Sequence, residues 1–228
     1  MILIGWDHPL PVSVGILYLQ GHMKVLILFA HPRFSGSHVQ RALYDAVSTL
    51  PGITFRDLYA AYPDFTIDVD HEHALLAEHD VIVLQHPFYW YSAPAIIKEW
   101  LDLVLELGWA YGPGGDKLHR KFLMNAISTG GAEPAYRRHG RNRFEIAELL
   151  SPFNQSAHLC GMAYLEPFTV FAGRWLTAED LAIRASNYQG LIEGLRDGHI
   201  DPMQRLAKGY SLPLAFEAQR LQKKRHAP

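Results

Sequence analysis

Three short stretches hold residue types and spacings that could bind or react with a small molecule. "AHPRFSGS" and the residue after it set His31, Ser35, Gly36, Ser37 and His38 immediately before a run of helical period. Hydroxyls and free N–H groups at such a helix start suit a phosphate, although Ser35 or Ser37 could equally serve as an ordinary cap. "HPFYWYSAP" places Phe88, Tyr89, Trp90 and Tyr91 side by side where the backbone should be turning. Aromatics in a loop either fold back as packing or form a flat wall for a flat ligand. "STGGAEPAYRRHG" offers Ser128, Thr129, Gly130 and Gly131, whose backbone a ligand can approach closely, with Tyr136 and His139 beyond as polar donors. Each stretch alone also reads as a turn or a cap. Together, a phosphate anchor, an aromatic wall and a Gly-rich edge describe a pocket for a planar heteroaromatic with a phosphate tail, namely flavin mononucleotide (FMN).

Something must bring the three together, and the pattern from Met23 onward supplies it. Continuously apolar runs of strand length, "KVLILFA", "VIVLQ" and "KFLMNAIS", alternate with segments of helical period. Such runs fit parallel strands covered on both faces. With "ITFRDL" and one strand over 163–172, five strands and their helices predict a doubly wound parallel sheet. In such sheets ligands bind outside the carboxyl ends of the strands. The three stretches follow the first, third and fourth strands. Pro94 suits the first turn of the helix after the aromatic loop. A helix over 142–160 should tolerate or bend at Pro152, and Thr177 with Asp180 predicts a capping box.

At 228 residues, 49% hydrophobic and 19% charged, the chain has enough apolar material for one globular domain. A formal net charge of −2 points to neither nucleic acid nor an anionic membrane. The single cysteine, Cys160, rules out an internal disulfide framework and fits a reducing, cytoplasmic setting. Residues 1–22 lack a basic start and are broken by Asp7, Pro9 and Pro11, so they read as a leader outside the core, neither signal peptide nor membrane span. The expected domain is 23–198, with an appendage over 199–228 whose basic end "RLQKKRHAP" reads as a solvated terminus. His71, His73 and His79 are spaced too poorly for a metal site and read as a solvated helix face; no metal is expected. There is no G-x-G-x-x-G or Walker pattern in the first loop.

The segments "LFAHPRFSGSHVQRAL", "VIVLQHPFYWYSAPAIIKEWLD", "GWAYGPGG" and "STGGAEPAYRR" resemble the flavodoxin-like NAD(P)H:quinone oxidoreductases. The nearest branch is the ancillary proteins of glutathione-regulated potassium-efflux systems, with DT-diaphorase and the modulators of drug activity as wider relatives. The likeness runs from Met23 to about Gly194. It implies a five-stranded sheet of order 2-1-3-4-5, and FMN, with FAD the lesser alternative. It also implies FMN contacts from His31, Ser37, His38, Val39 and Gln40 around the phosphate, and from Phe88, Tyr89, Trp90, Tyr91, Ser128, Thr129, Gly130 and Gly131 around the ring. Trp90 and the loop backbone should meet the ring first, with Tyr91 anchoring the loop. Gln40 departs from the Asn common in that branch, and Ser128 from a frequent Thr. Tyr136 matches the Tyr that assists hydride transfer in the wider family. His139 corresponds to its His at a shorter spacing, so Arg138 or Arg141 could take that place.

By the same resemblance, NADH or NADPH and a quinone would be the co-substrates, and the site would be completed at a homodimer interface. Trp109 and Tyr111 are the candidates to reach the partner subunit; Trp100 is left open and Leu103 is expected to face the sheet. A membrane antiporter is an implied partner, putting the chain in the cytoplasm, peripheral to the inner face of the membrane. A plain electron-carrier flavodoxin fits less well, because the chain has no strong acidic excess and no Thr-rich phosphate loop.

Overall fold

A computed structural model of the chain describes residues 22–207. Residues 1–21 of the expected leader and the basic tail therefore lie outside the described residues. In chain order the elements are β1 (Val25–Phe29), α1 (His38–Val47), β2 (Ile53–Asp57), α2 (Leu58–Ala61), α3 (Val69–Glu78), β3 (Val81–Pro87), α4 (Ala95–Val104), β4 (Phe122–Ser128), α5 (Ile146–Leu149), α6 (Ser151–Leu159), β5 (Ala163–Tyr164), β6 (Phe168–Val170) and α7 (Ala178–Arg196).

The sheet is parallel throughout in the order β2-β1-β3-β4-β5, with β6 also paired to β4. Strand side chains alternate between faces, so an apolar strand feeds two cores at once. Leu26, Leu28, Ile82, Leu84, Leu123 and Ile127 pack with residues of α3, α4 and α6 on one face. Val25, Ile27, Val81, Val83, Met124 and Ala126 pack with α1 and α7 on the other. Register aligns the carboxyl ends: Phe29 is level with Asp57 and Gln85, and Pro87 with Ser128, which is level with Val170. The loops after β1, β3, β4 and β6 consequently leave from one edge.

Local sequence accounts for several boundaries. Ser37 Oγ caps α1 by accepting from Gln40 N at 3.2 Å, and Thr177 with Asp180 closes both bonds of the expected capping box on α7. The strand expected over 163–172 is instead two pieces, β5 and β6. Pro167 lies between them and has no N–H for a ladder bond. The helix expected over 142–160 starts only at Ile146 and bends at Leu150, where Pro152 opens α6 and cannot extend the ladder of α5.

Three side-chain expectations also change, and the open position of Trp100 is settled. Leu103 is 39% exposed rather than facing the sheet. Trp100 is buried, and its indole N–H donates to Glu72 Oε2 at 2.8 Å. Trp109 does not form a free wall; it stacks flat on His73 with ring centroids 3.5 Å apart. The histidines in and just after α3 are not all solvated: His73 Nε2 donates to the Val104 carbonyl, and buried His79 bridges the Leu75 carbonyl and Thr54 Oγ1. Among the described residues no group of His, Cys, Asp and Glu is arranged to hold a metal ion. Residues 202–207, expected within an appendage, form a turn and then a bridge between Leu206 and Leu165, with Ala207 buried beside Tyr164.

Candidate functional site

Two adjoining clefts open at the carboxyl edge of the sheet. The first, about 550 Å³, is lined by His31, Arg33, Ser35, Gly36, Ser37, His38 and Val39 from the β1–α1 loop and helix start. Pro87, Phe88 and Tyr89, then Ser128, Thr129 and Gly130, then Gly173 and Arg174 complete it. The second, about 540 Å³, is lined by Phe88, Trp90, Tyr91, Gly130, Gly131, Ala132, Ala135, Tyr136, Arg141, Asn142, Arg174 and Trp175. Phe88, Gly130 and Arg174 belong to both, so the two are halves of one groove.

The first half is a donor cluster. The opening N–H groups of a helix have no partner inside it, and their dipoles favour an anion. Ser37 Oγ accepts from the cap bond, leaving its own hydrogen free to donate outward. His31 Nδ1 accepts from Arg33 N at 3.1 Å, so its neutral ring carries the proton on Nε2. Burial lowers the pKa of this ring, which also sits edge-on to Tyr89.

Gly-rich backbone forms the floor between the halves. Thr129 Oγ1 donates to the Gly131 carbonyl, Ala172 N donates to that same carbonyl and Gly173 N to that of Thr129. The hydrogen bonds of the described residues therefore occupy these carbonyls and leave the N–H groups of Gly130 and Gly131 unused. A Cβ on Gly173 would come within 2.8 Å of Val39 Cγ2, which explains glycine there. A Cβ on Gly131 would sit 3.2 Å from the Tyr136 ring, so Tyr136 packs onto the glycine itself.

The aromatic loop divides its four rings. Phe88 is buried and meets Tyr136 edge-on at 6.1 Å. Tyr89, Trp90 and Tyr91 are exposed, Trp90 by 93%, and Trp90 and Tyr91 both hold positive φ, 50° and 61°. Two successive side-chain-bearing residues in the left-handed region are strained. The turn is closed by Ser92 N donating to the Tyr89 carbonyl, and Phe88 N donates to the Ser128 carbonyl. Tyr91 Oη reaches Asn142 Oδ1 at 3.4 Å.

Two expected site residues are not brought to the groove. Gln40 is fully buried behind it: its Nε2 donates to the His86 carbonyl and to Ser128 Oγ, and its Oε1 accepts from Gln85 Nε2. That arrangement uses both ends of its amide inside the protein. His139 is exposed and lines neither half, whereas Arg141 of the same segment does; Arg138 is held by Glu148. Beneath the groove, Tyr188 donates to Gln85 Oε1, continuing the chain behind Ser128. His86 Nδ1 donates to the Pro87 carbonyl and its Nε2 accepts from Asn125, whose Oδ1 accepts from Tyr164. Burial lowers the His86 pKa to about 4, keeping this network neutral.

Gly173, Arg174 and Trp175 enter the groove from a fourth loop that the sequence reading passed over. Its signal was positional: "AGRW" follows the last strand at the same sheet edge as the other three.

These residues suit FMN. Hydroxyl and N–H donors crowd one half, while the other half joins two unpaired backbone N–H groups to an aromatic wall, as a phosphate and a planar polar ring require.

Known proteins agree with this architecture. The family described as having a flavodoxin-like fold matches residues 23–191. A curated relative from Shigella flexneri, the glutathione-regulated potassium-efflux system ancillary protein KefG, is 47% identical over 165 residues, covering 72% of this chain and 90% of that protein. The general stress protein 14 of Treponema denticola, solved in complex with FMN, is 38% identical with a TM-score of 0.71, covering 75% of this chain and 99% of that one. A P. pentosaceus protein named NADPH-quinone reductase is 31% identical with a TM-score of 0.68, covering 74% and 97%. A solved chain bearing the different name thermophilic tryptophan halogenase, from Streptomycin violaceusniger, is 44% identical with a TM-score of 0.72, covering 73% and 97%. By profile, by identity over most of its relatives' length and by sheet order, this chain belongs to the flavodoxin-like family that includes the potassium-efflux ancillary proteins.

Proposed function

We propose that the chain is an FMN-dependent NAD(P)H:quinone oxidoreductase that works by ping-pong transfer of two electrons as hydride. The observation that carries the reading is the two-part groove, with anion donors in one half and unpaired N–H groups beside an aromatic wall in the other. The FMN-bound and quinone-reductase names of similar structures support it.

Ser37, His31 and His38 would hold the phosphate, with Val39 and the start of α1. Phe88, Tyr89 and Trp90 would flank the ring, with Tyr91 bracing the loop; Ser128 and Thr129 would shape its edge, and Gln40 would act from behind by holding Ser128. Bound FMN would supply the hydride-carrying chemistry. The protein's own contribution is orientation and electrostatics. N–H groups at Gly130 and Gly131, with the Tyr136 hydroxyl close by, are available to negative charge growing along a polar ring edge. Removing one such donor would cost roughly 2–4 kcal/mol of transition-state stabilisation, by analogy with oxyanion-hole deletions. His139 in that role would require the 137–143 segment to rearrange; in its present place Tyr136 is the better proton donor. FMN is preferred to FAD because the donor cluster accounts for one phosphate end.

The test is to purify the full chain, identify any extracted flavin, and measure quinone reduction with NADH and NADPH. FMN bound at one equivalent and parallel double-reciprocal plots are the expected results. Colourless protein that takes up no FMN would overturn the reading.

A second role rests on the name of the S. flexneri relative: docking on a potassium-efflux antiporter, peripheral to the membrane, with redox activity secondary. No described helix is long and apolar enough to cross a membrane. Co-purification with the antiporter, using Trp90→Ala to remove turnover without touching docking, separates the two roles. A homodimer fits the apolar groove of about 450 Å³ between α4 and α6, where Leu101, Leu105, Tyr111 and Phe153 are bordered by exposed Leu159.

A further inference from the structure

The outer half of the groove has a charge pattern that the oxidoreductase reading leaves unexplained. Its lining holds two charged side chains, Arg141 and Arg174, and no carboxylate. Neighbouring arginines are neutralised: Arg137 pairs with Glu133 and Arg138 with Glu148. Arg141 and Arg174 make no ion pair among the described residues, in a chain whose formal net charge is −2. Two exposed guanidinium groups without an ion pair among the described residues come from different loops to line one aromatic-walled cleft, where both are open to an anion arriving from solvent. Arg174 is further held at the junction of the two halves, because its loop is tied by Ala172 N and Gly173 N to the carbonyls of Gly131 and Thr129.

We propose that Arg141 and Arg174 form an anion subsite that selects planar aromatic ligands bearing a phosphate, sulfonate or carboxylate group over neutral ones. The inference rests on reading this half as the place where donor and acceptor rings bind. The aromatic wall receives the ring, and the two guanidinium groups take the anion through charge-assisted, potentially bidentate hydrogen bonds. The same chemistry could come from the phosphate of the hydride donor or from an acidic acceptor.

Two matched pairs distinguish these sources. Calorimetric titration of the full chain, as purified and saturated with FMN, compares anthraquinone-2-sulfonate with its neutral sulfonamide, and nicotinamide mononucleotide with nicotinamide riboside. The anionic member of at least one pair should bind about tenfold tighter, as expected for a hydrogen bond to a charged group. That advantage should shrink with added salt. It should fall below about threefold in Arg141→Gln and in Arg174→Gln, and persist in Arg137→Gln, whose guanidinium is already paired. Preference within the quinone pair assigns the subsite to an acidic acceptor; preference within the nicotinamide pair assigns it to the donor's phosphate. Equal binding within both pairs, or a preference that survives both substitutions, overturns the proposal. Protein that takes up no FMN yet keeps the arginine-dependent preference would refute the oxidoreductase reading and leave the subsite standing.

Discussion

Two of the buried polar clusters among the described residues are built on opposite principles. On the α3–α4 face, Glu72 is fully buried and accepts from Arg56 Nε, Tyr62 Oη and Trp100 Nε1. It is ion-paired with Arg56, and its side-chain bonds end on residues of β2, α4 and the segment after α2, away from the groove. Beneath the groove, Tyr188, Gln85, Gln40 and Ser128 form a chain of neutral groups whose last hydroxyl lines the ligand cleft. The first cluster fastens helices to a sheet edge. The second carries the order of the core out to a surface that must hold a ligand without rearranging. A buried charge with a private set of partners serves the fold, whereas a neutral relay ending at a cleft serves the site.

Removing Glu72 should separate the two most clearly. Glu72→Ala leaves Trp100 Nε1 without its acceptor and Arg56 without its counter-ion. It should cost about 3 kcal/mol, the low end for a broken buried pair, because the Arg56 side chain keeps 22% exposure. Denaturant unfolding measures the loss. The fraction that remains folded should bind FMN with unchanged affinity, and a parallel loss of affinity would contradict the division between the clusters. Gln40→Leu should be milder for the fold and harsher for the site. Its near-equal volume avoids a cavity, and Ser128 Oγ at the cleft can turn to water, but the buried His86 carbonyl and Gln85 Nε2 each lose a partner, for about 2 kcal/mol in total. FMN affinity should fall about tenfold if Ser128 is held for the ligand, as the relay implies. Unchanged FMN affinity would make Gln40 merely structural.

What the sequence disclosed follows the same division. The apolar runs at 24–30 and 81–85 and the capping box at Thr177 are local patterns, and each became the element it predicted. The site loops were legible because strand ends collect at one edge of a parallel sheet. Pairings over long sequence distances were not legible. Gln40 meets Ser128 across 88 residues and Trp100 meets Glu72 across 28, so a residue chosen as a ligand contact became a buried strut and an open candidate for the interface became core. Arg174 and Trp175 were missed for another reason. Only the loops after the first, third and fourth strands carry recognisable binding residue types, so the loop after the last strand drew no weight, although Val170 is level with Ser128 and puts that loop at the same edge. His73 shows the limit of spacing arguments, which could not reveal a stacking partner on a distant loop.

The smallest expected effect sharpens the comparison at its outer end, where the relay meets the strained loop. Trp90 holds φ at 50° with its side chain 93% exposed, so it contributes strain to the folded state and almost no burial. In Trp90→Gly, relief of left-handed strain gains about 1–2 kcal/mol, and the greater unfolded freedom of glycine returns about 0.5–1 kcal/mol. The net change in stability should lie between zero and about 1.5 kcal/mol in favour of the variant. Quinone turnover in the same protein should fall sharply, since a ring held outward against the chain's own conformational preference has no packing reason to be there. Thermal unfolding and steady-state kinetics on one sample decide the matter. A variant destabilised by more than about 1 kcal/mol would mean that Trp90 does pack against the fold and that the loop is strained for structure, not for a ligand.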